Sequence, residues 1–486
     1  MLEDLSDVLE MTPDNDGVTI KSKINNFEDW KSVVSDSNGN GCYGLPYADS
    51  TMGFVFNYDK FVENGWVSFA DANSDDVKAE LTNQGIEYEI ENNRIYFKSY
   101  SGDYQYFNYE EGDVITTCGR DGIYGSYDDG QPDTIEEWEN MINLIYYDQI
   151  KPFIFSGTYS YSYCISAYYS IFATIAGKDA FNTFYSMDSN GKEVELTDGR
   201  KVVITPENGY EVYKMKGIEE GLSFLYEYMN VDTKREKNFL HPAAYLESGY
   251  SHKQAQSSYL YALATGGTNT NPESAIFYDG SWWENEAKPS FDTLEKSGYP
   301  EYGFGKQDFR PLLYPRYETD NAKSIRATYG ACSMYVPSKI HSDPMENEAR
   351  LKFVKEFLAY ILSNDVLSAF TLETGEIQPY TYTISATDFA TMTKYAQANW
   401  AMYTDTENIE MVRPSLLQLK MPTALKENDF SYYTVSSLGS YSGKNVEQFM
   451  NMINLLQSEY PNGTFIEKVM ENIYSTAQSS WSSYIG

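Results

Sequence analysis

Three features of the sequence predict an α/β protein built as two lobes. The chain has 486 residues, more than one hydrophobic core ordinarily serves. From Tyr43 onward, short strand-like runs alternate with amphipathic helical stretches, the pattern of an α/β architecture. No internal repeat or low-complexity linker separates the halves, so the chain is expected to cross between lobes more than once.

The first element is YGLPYADSTMGFVFN, Tyr43 to Asn57. Leu45, Tyr47, Phe54 and Phe56 suit an extended segment alternating on a pleated surface, yet Asp49, Ser50 and Thr51 interrupt its middle with polar groups. Between Gly85 and Thr117, polar and aromatic residues alternate around ENN and SGD turns, predicting a β-hairpin insertion near 85–117. In PDTIEEWENMINLI, Thr134 and Glu137 form a capping box, and Trp138, Met141, Ile142 and Ile145 share one helix face. In IKPFIFSGTYSYSYC, Phe153 and Phe155 read as strand interior. Ser156, Gly157, Thr158, Tyr159 and Tyr161 follow at its carboxyl end, where open α/β sheets bind ligands; tyrosines that only pack are an equal reading.

In ESAIFYDGSWWENEA, the apolar run Ala275 to Tyr278 ends at a Gly280 turn presenting Trp282 and Trp283. Two adjacent indoles cannot both face one core from a strand, so at least one is expected in a cleft, where a flat ring can stack on a sugar. In SDPMENEARLKFVKEFLAYIL, Asp343 caps a helix, Pro344 occupies its first turn, and Leu351, Val354, Leu358 and Ile361 recur at helical spacing. The tail from about Asn445 carries Val446, Phe449, Met450 and Ile453 in helical register.

Composition narrows the function classes. Lys and Arg number 36 against 71 Asp and Glu, a formal charge of −35, which opposes nucleic acid and anionic lipid as partners. The 45 Tyr suit a ligand with apolar faces and hydroxyls, as sugars have, although most must be structural. Four Cys without a CxxC pair, and three His in all, disfavour zinc and histidine-based sites, while disulfides cannot be read from the spacing. The stretch CISAYYSIFATIAG is about half a membrane span and reads as a buried helix. No signal peptide is legible before Leu2, so any export signal is expected to have been removed or to lie outside this sequence. Nucleophile elbow, P-loop, H-E-x-x-H and dinucleotide fingerprints are lacking. GRDGIYGSYDDGQPDT gathers Asp121, Asp128 and Asp129 on a Gly-bearing turn, raw material for a structural calcium site of modest affinity, although a polar, aspartate-rich turn leading into the Thr134 cap needs no metal.

Taken together, YGLPYADSTMGFVFNYDKFVENGW, IKPFIFSGTY, AIFYDGSWWENEA, ACSMYVPSK and LKFVKEFLAYILSNDVLSAFTLETGEIQPYTYTI resemble, in this order, the extracellular solute-binding proteins of carbohydrate-uptake ABC transporters, maltose-binding-protein-like lipoproteins of Gram-positive bacteria. The resemblance covers nearly the whole chain from Leu2. It implies a periplasmic-binding-protein-like fold with a central ligand cleft and hinge crossings near 50–57, 305–315 and 376–382. Lobe 1 is then 1–55 plus 312–376, and lobe 2 is 56–311 plus 377–486. LEDLSDVLEM resembles a segment that in relatives follows the first βαβ units, so the N-terminal part of lobe 1 is expected to be missing.

The resemblance also implies an oligosaccharide ligand, ABC transporter permease partners, a monomer, no catalysis and no required cofactor. The full-length protein would be a cell-surface lipoprotein whose anchor is absent from this chain. Asp49, Ser50, Thr51, Tyr159, Tyr161, Trp282, Trp283, Gln378 and Tyr380 are the implied ligand contacts. Of the two indoles, Trp282 is expected to stack on the sugar and Trp283 to pack into lobe 2. The competing readings are a glycoside hydrolase, which needs two carboxylates at a fixed separation, and a surface glycan-adhesion protein.

Overall fold

The computed structural model describes the chain apart from residues 14–15, 37–38, 103–107, 230–236, 245–249, 318–322, 415–464 and 486. The expected helix from about Asn445 to Ile453 lies outside the described residues.

The strands are β1 (Leu45–Asn57), β2 (Ile86–Glu91), β3 (Arg94–Tyr100), β4 (Lys151–Ile154), β5 (Glu193–Glu195), β6 (Lys201–Val203), β7 (Ser274–Gly280), β8 (Phe309–Leu312), β9 (Ser324–Met334) and β10 (Ile409–Val412). Six form one mixed sheet in the order β10-β9-β1-β7-β4, with β8 also paired to β1. β1 is antiparallel to β7, β8 and β9, whereas β9–β10 and β4–β7 are parallel. β2 and β3 form the expected hairpin. Its turn places Asn92 and Asn93 at φ 48° and 62°, the left-handed pair that a two-residue hairpin turn needs and Asn tolerates.

β1 organises the sheet by exchanging partners along its length. Leu45 to Thr51 pairs with β9, and Met52 to Phe56 pairs with β7. The register shifts between Ser50 and Thr51, a bulge at the exchange that re-aims the strand. The second part is buried throughout, whereas Tyr47 in the first part is exposed, so alternation is lost where the register shifts again between Pro46 and Ala48.

The hydrophobic residues divide accordingly. Leu5, Val8, Ile20, Trp30, Leu45, Val336, Leu358 and Tyr380 pack as the core of a first body. Phe54 centres the core of a second, with ring centroids 4.9 Å from Tyr278, 5.3 Å from Trp138 and 5.5 Å from Phe153. An adjoining cluster gathers Val55, Tyr259, Phe277, Phe291 and Phe309. β1 and β9 feed both bodies, since Leu45 and Met334 pack in the first and Phe54 and Ile325 in the second. Two expected boundaries therefore move. β8 lies wholly against the second half of β1, so the crossing belongs to β9 and not to 305–315. Tyr380 and Tyr382 belong to the first core, so that body extends past residue 376.

Local signals shape the helices as the sequence implies. The Thr134 hydroxyl accepts from Glu137 N at 3.2 Å and the Glu137 carboxylate accepts from Thr134 N at 3.1 Å, closing the capping box of helix Ile135–Tyr147. Asp343 caps Pro344–Ile361 by accepting from Glu346 N at 3.0 Å. CISAYYSIFATIAG lies in Ser160–Ser186, which bends at Gly177, where φ is 80°, and buries Cys164, Tyr168, Ile171 and Phe172. Among the described residues no helix is long and apolar enough to cross a membrane. Cys42, Cys118 and Cys164 are free thiols.

Candidate functional site

Polar groups from three distant segments converge where β1 changes partners. Ser50 donates from its hydroxyl to Glu376 Oε2 at 3.2 Å, and Ser281 donates to the same oxygen at 3.4 Å. Ser281 N also donates to Thr51 O at 2.8 Å. Glu376 reaches this point because Gly375 ends helix Asn364–Thr374 in the left-handed region, φ 72°, a turn that favours a residue without a Cβ. The second carboxylate oxygen, Oε1, is buried without a hydrogen-bond partner. Burial lifts this acid to about 7, against the lowering effect of the Ser50 and Ser281 hydrogen bonds.

Trp282 stands beside this cluster. A Cβ on Gly280 would lie 2.3 Å from its ring, so the glycine lets the indole fold back over the strand end. Trp282 is half-buried, packed against the second body's main core. Trp283 is 0% exposed, with its ring 5.1 Å from Phe309, 5.4 Å from Phe277 and 5.5 Å from Tyr395. It is a core residue, which corrects its assignment as a ligand contact.

A second polar string runs along the carboxyl ends of β4 and β7. Asp279 accepts from the Tyr163 hydroxyl at 2.9 Å and from Gln256 Nε2 at 3.1 Å, and burial raises it to about 6. Gln256 also donates to Glu286 at 2.8 Å, and Glu286 pairs with His252 Nε2 at 3.2 Å. The His252 ring lies 5.8 Å from that of Tyr159, which is 48% exposed. Such a rim offers donors, acceptors and an aromatic face to a hydroxylated ligand.

The other sequence-derived contacts fall elsewhere. Asp49 is buried in an ion pair, accepting from Arg413 Nε at 2.9 Å and also from Nη2, so Coulomb pairing explains this polar residue and a sugar hydroxyl does not. Tyr380 is buried in the first core and donates to Pro46 O at 2.7 Å. Gln378 is buried, its N–H donating to the Tyr382 hydroxyl at 3.2 Å. Thr51 is buried and contributes a carbonyl. Tyr161 lies within helix Ser160–Ser186, its side chain outside the described residues.

The aspartate loop is a hydrogen-bonded turn. Asp128 accepts from Arg120 N and Ser126 Oγ, each at 2.7 Å, and Asp129 from Tyr109 OH at 2.6 Å and Gly125 N at 2.7 Å. Asp121 caps Ile123 N at 2.8 Å. Among the described residues no three His, Cys, Asp or Glu side chains are grouped to hold a metal ion.

No protein-family model matches the chain, and no curated protein does. Among solved structures, a chitin oligosaccharide binding protein matches with a TM-score of 0.50 and 13% identity, over 99% of this chain and 79% of that one. The chain has the solute-binding-protein fold. A structure from a study of xylan utilization by Caldanaerobius polysaccharolyticus (TM-score 0.47, 11% identity, 98% and 80% of the two chains) and the apo form of RafE from Streptococcus pneumoniae (0.44, 13%, 98% and 77%) lie further off.

Within this solute-binding-protein fold, sequence reasoning missed Glu376, Asp279, Gln256, Glu286 and His252. Carboxylates are so abundant here that composition singles none out. Glu376 nevertheless carried a local signal: it directly follows the glycine that ends a helix, inside a segment already read as a crossing.

Proposed function

We propose that this chain binds an oligosaccharide between the two bodies, outside the cell, and delivers it as a monomer to an ABC transporter permease without chemical turnover. The observation that carries this reading is the convergence of Ser50, Ser281 and Glu376 beside Trp282, from segments of both bodies. An acceptor without a partner, in a cluster whose Ser281 directly precedes a half-buried indole, supports a sugar ligand, with hydroxyls on the acceptor and an apolar ring face on the aromatic. Binding energy gained in a gap between two bodies also draws them together, a signal a permease can read. The chitin oligosaccharide binding protein of the same fold supports this ligand class. Calorimetry with chito-, xylo- and malto-oligosaccharides, followed by chromatography of the recovered sugar, tests it. Saturable binding with the sugar returned intact is expected; cleaved product would make the chain a glycoside hydrolase, and silence across the panel would remove the reading.

A further inference from the structure

A second gap lies on the other face of β1. Asp49 and Ser50 are consecutive and in regular register opposite Ala331 and Gly330, so their side chains leave opposite faces of the strand. Ser50 meets Glu376, whereas Asp49 meets Arg413. On the Arg413 side a cavity of about 410 Å³ separates the bodies, within the range of small-molecule sites.

Its charge is unusual for this chain. Among the described residues, Lys178, Lys323 and Arg413 line it with Glu410 as the single lining carboxylate, in a sequence with 71 acidic and 36 basic residues. Lys178 pairs with Glu410 at 3.2 Å. Lys323 donates to a neutral carbonyl, Thr406 O, at 2.8 Å. Arg413 engages Asp49 through Nε and Nη2, but its buried Nη1 makes no hydrogen bond; Asp29 Oδ2, at 3.9 Å, is beyond reach for one. Tyr382 and Trp400 also line the cavity, their rings edge to face at 5.0 Å.

We propose that this cavity binds a small carboxylate carried on a six-membered ring. A buried guanidinium N–H without an acceptor is costly, so the site favours a ligand that supplies one. Lys323, the lining cation that faces no carboxylate among the described residues, sets the ligand's charge together with the unpartnered Arg413 Nη1, and the aromatic wall suits a flat apolar face. The site faces away from the Ser50 and Glu376 cluster, and it stands whether or not that cluster binds a sugar.

Calorimetric titration of the full chain with glucuronate and with benzoate separates a sugar acid from an aromatic acid, with glucose and benzyl alcohol as uncharged controls. One acid is expected to bind saturably, with its control weaker by about tenfold or more, the worth of a charge-assisted hydrogen bond. Lys178→Gln and Lys323→Gln should each weaken that acid by about tenfold while the thermal midpoint of the free protein holds. These positions are chosen because an Arg413 variant strands the buried Asp49 and can unfold the chain. Failure of both acids to bind, equal binding of the uncharged controls, or affinity unchanged in both variants would overturn the proposal.

Discussion

Trp282 and Trp283 are neighbours in sequence and opposites in surroundings, so truncation should separate their roles. Trp282→Ala removes a ring face from the candidate cleft and should weaken sugar binding by roughly thirtyfold, the worth of an aromatic anchor, while lowering the thermal midpoint less than truncation of Trp283. Trp283→Ala opens a cavity among Phe277, Phe309 and Tyr395 and should destabilise by about 3 to 5 kcal/mol. Calorimetry and thermal melts of both variants check the pair; the opposite pattern would reverse the two faces. Glu376 gives a second prediction, resting on the sugar reading. With its acid lifted to about 7, it gains charge as pH rises, and an ionised acceptor holds a hydroxyl more strongly than a neutral one. Affinity should therefore rise from about pH 6 to about pH 8 in the native protein and stay flat in Glu376→Gln. An equal slope in both would remove Glu376 from the site. Asp49 and Ser50 show how far the sequence is legible at this scale. Both stood out as polar residues in an apolar strand, but the partner that explains Asp49 is Arg413, 364 positions away, and no local pattern displays it.

Elements were legible where the signal is local. The Thr134 capping box, the Asn92–Asn93 turn and the Asp343 cap each depend on residues within a few positions of one another, and each took the form the sequence implied. Strand pairing was not, because β1 draws its partners from β7, β8 and β9. One consequence of that pairing can be tested at Gly53. A Cβ there would lie 1.8 Å from Arg326 Nη2, and the buried guanidinium already donates to Met52 O at 3.4 Å and to Met402 Sδ at 2.7 Å. Gly53→Ala should displace Arg326 and destabilise by about 1 to 3 kcal/mol, as overpacking typically does. A melt that matches the parent would mean Arg326 swings aside at no cost.

At the scale of the whole molecule, buried carboxyl groups bias stability towards mild acid. Burial lifts Asp129 and Glu284 to about 7 and Asp279 to about 6. An acid whose folded value lies above its unfolded value contributes most below the unfolded value, and that contribution is lost as pH rises through the folded one. Asp133 works the other way: burial raises it, but Arg316 and Arg120 outweigh this and hold it below the usual range, so its contribution fades as pH falls. The thermal midpoint should accordingly be higher near about pH 5 than near about pH 8. A midpoint that climbs steadily towards alkaline pH would contradict this. The mixed α/β architecture was legible from the alternation of strands and helices. The crossings were misplaced because they are set by which core each half of β1 and β9 joins, a property of packing that periodicity does not carry.

The exchange of partners along β1 also has a meaning in time. A chain made from its N-terminus completes Phe54, Val55 and Phe56 long before Ile276, Phe277 and Tyr278, the residues they pair with. At ordinary synthesis rates that interval is roughly 10 to 40 s, and contacts so distant in sequence also slow folding itself. Throughout it, an apolar strand edge stays open to any extended chain nearby. Until that partner arrives, the nascent chain depends on whatever shields the open edge from aggregation.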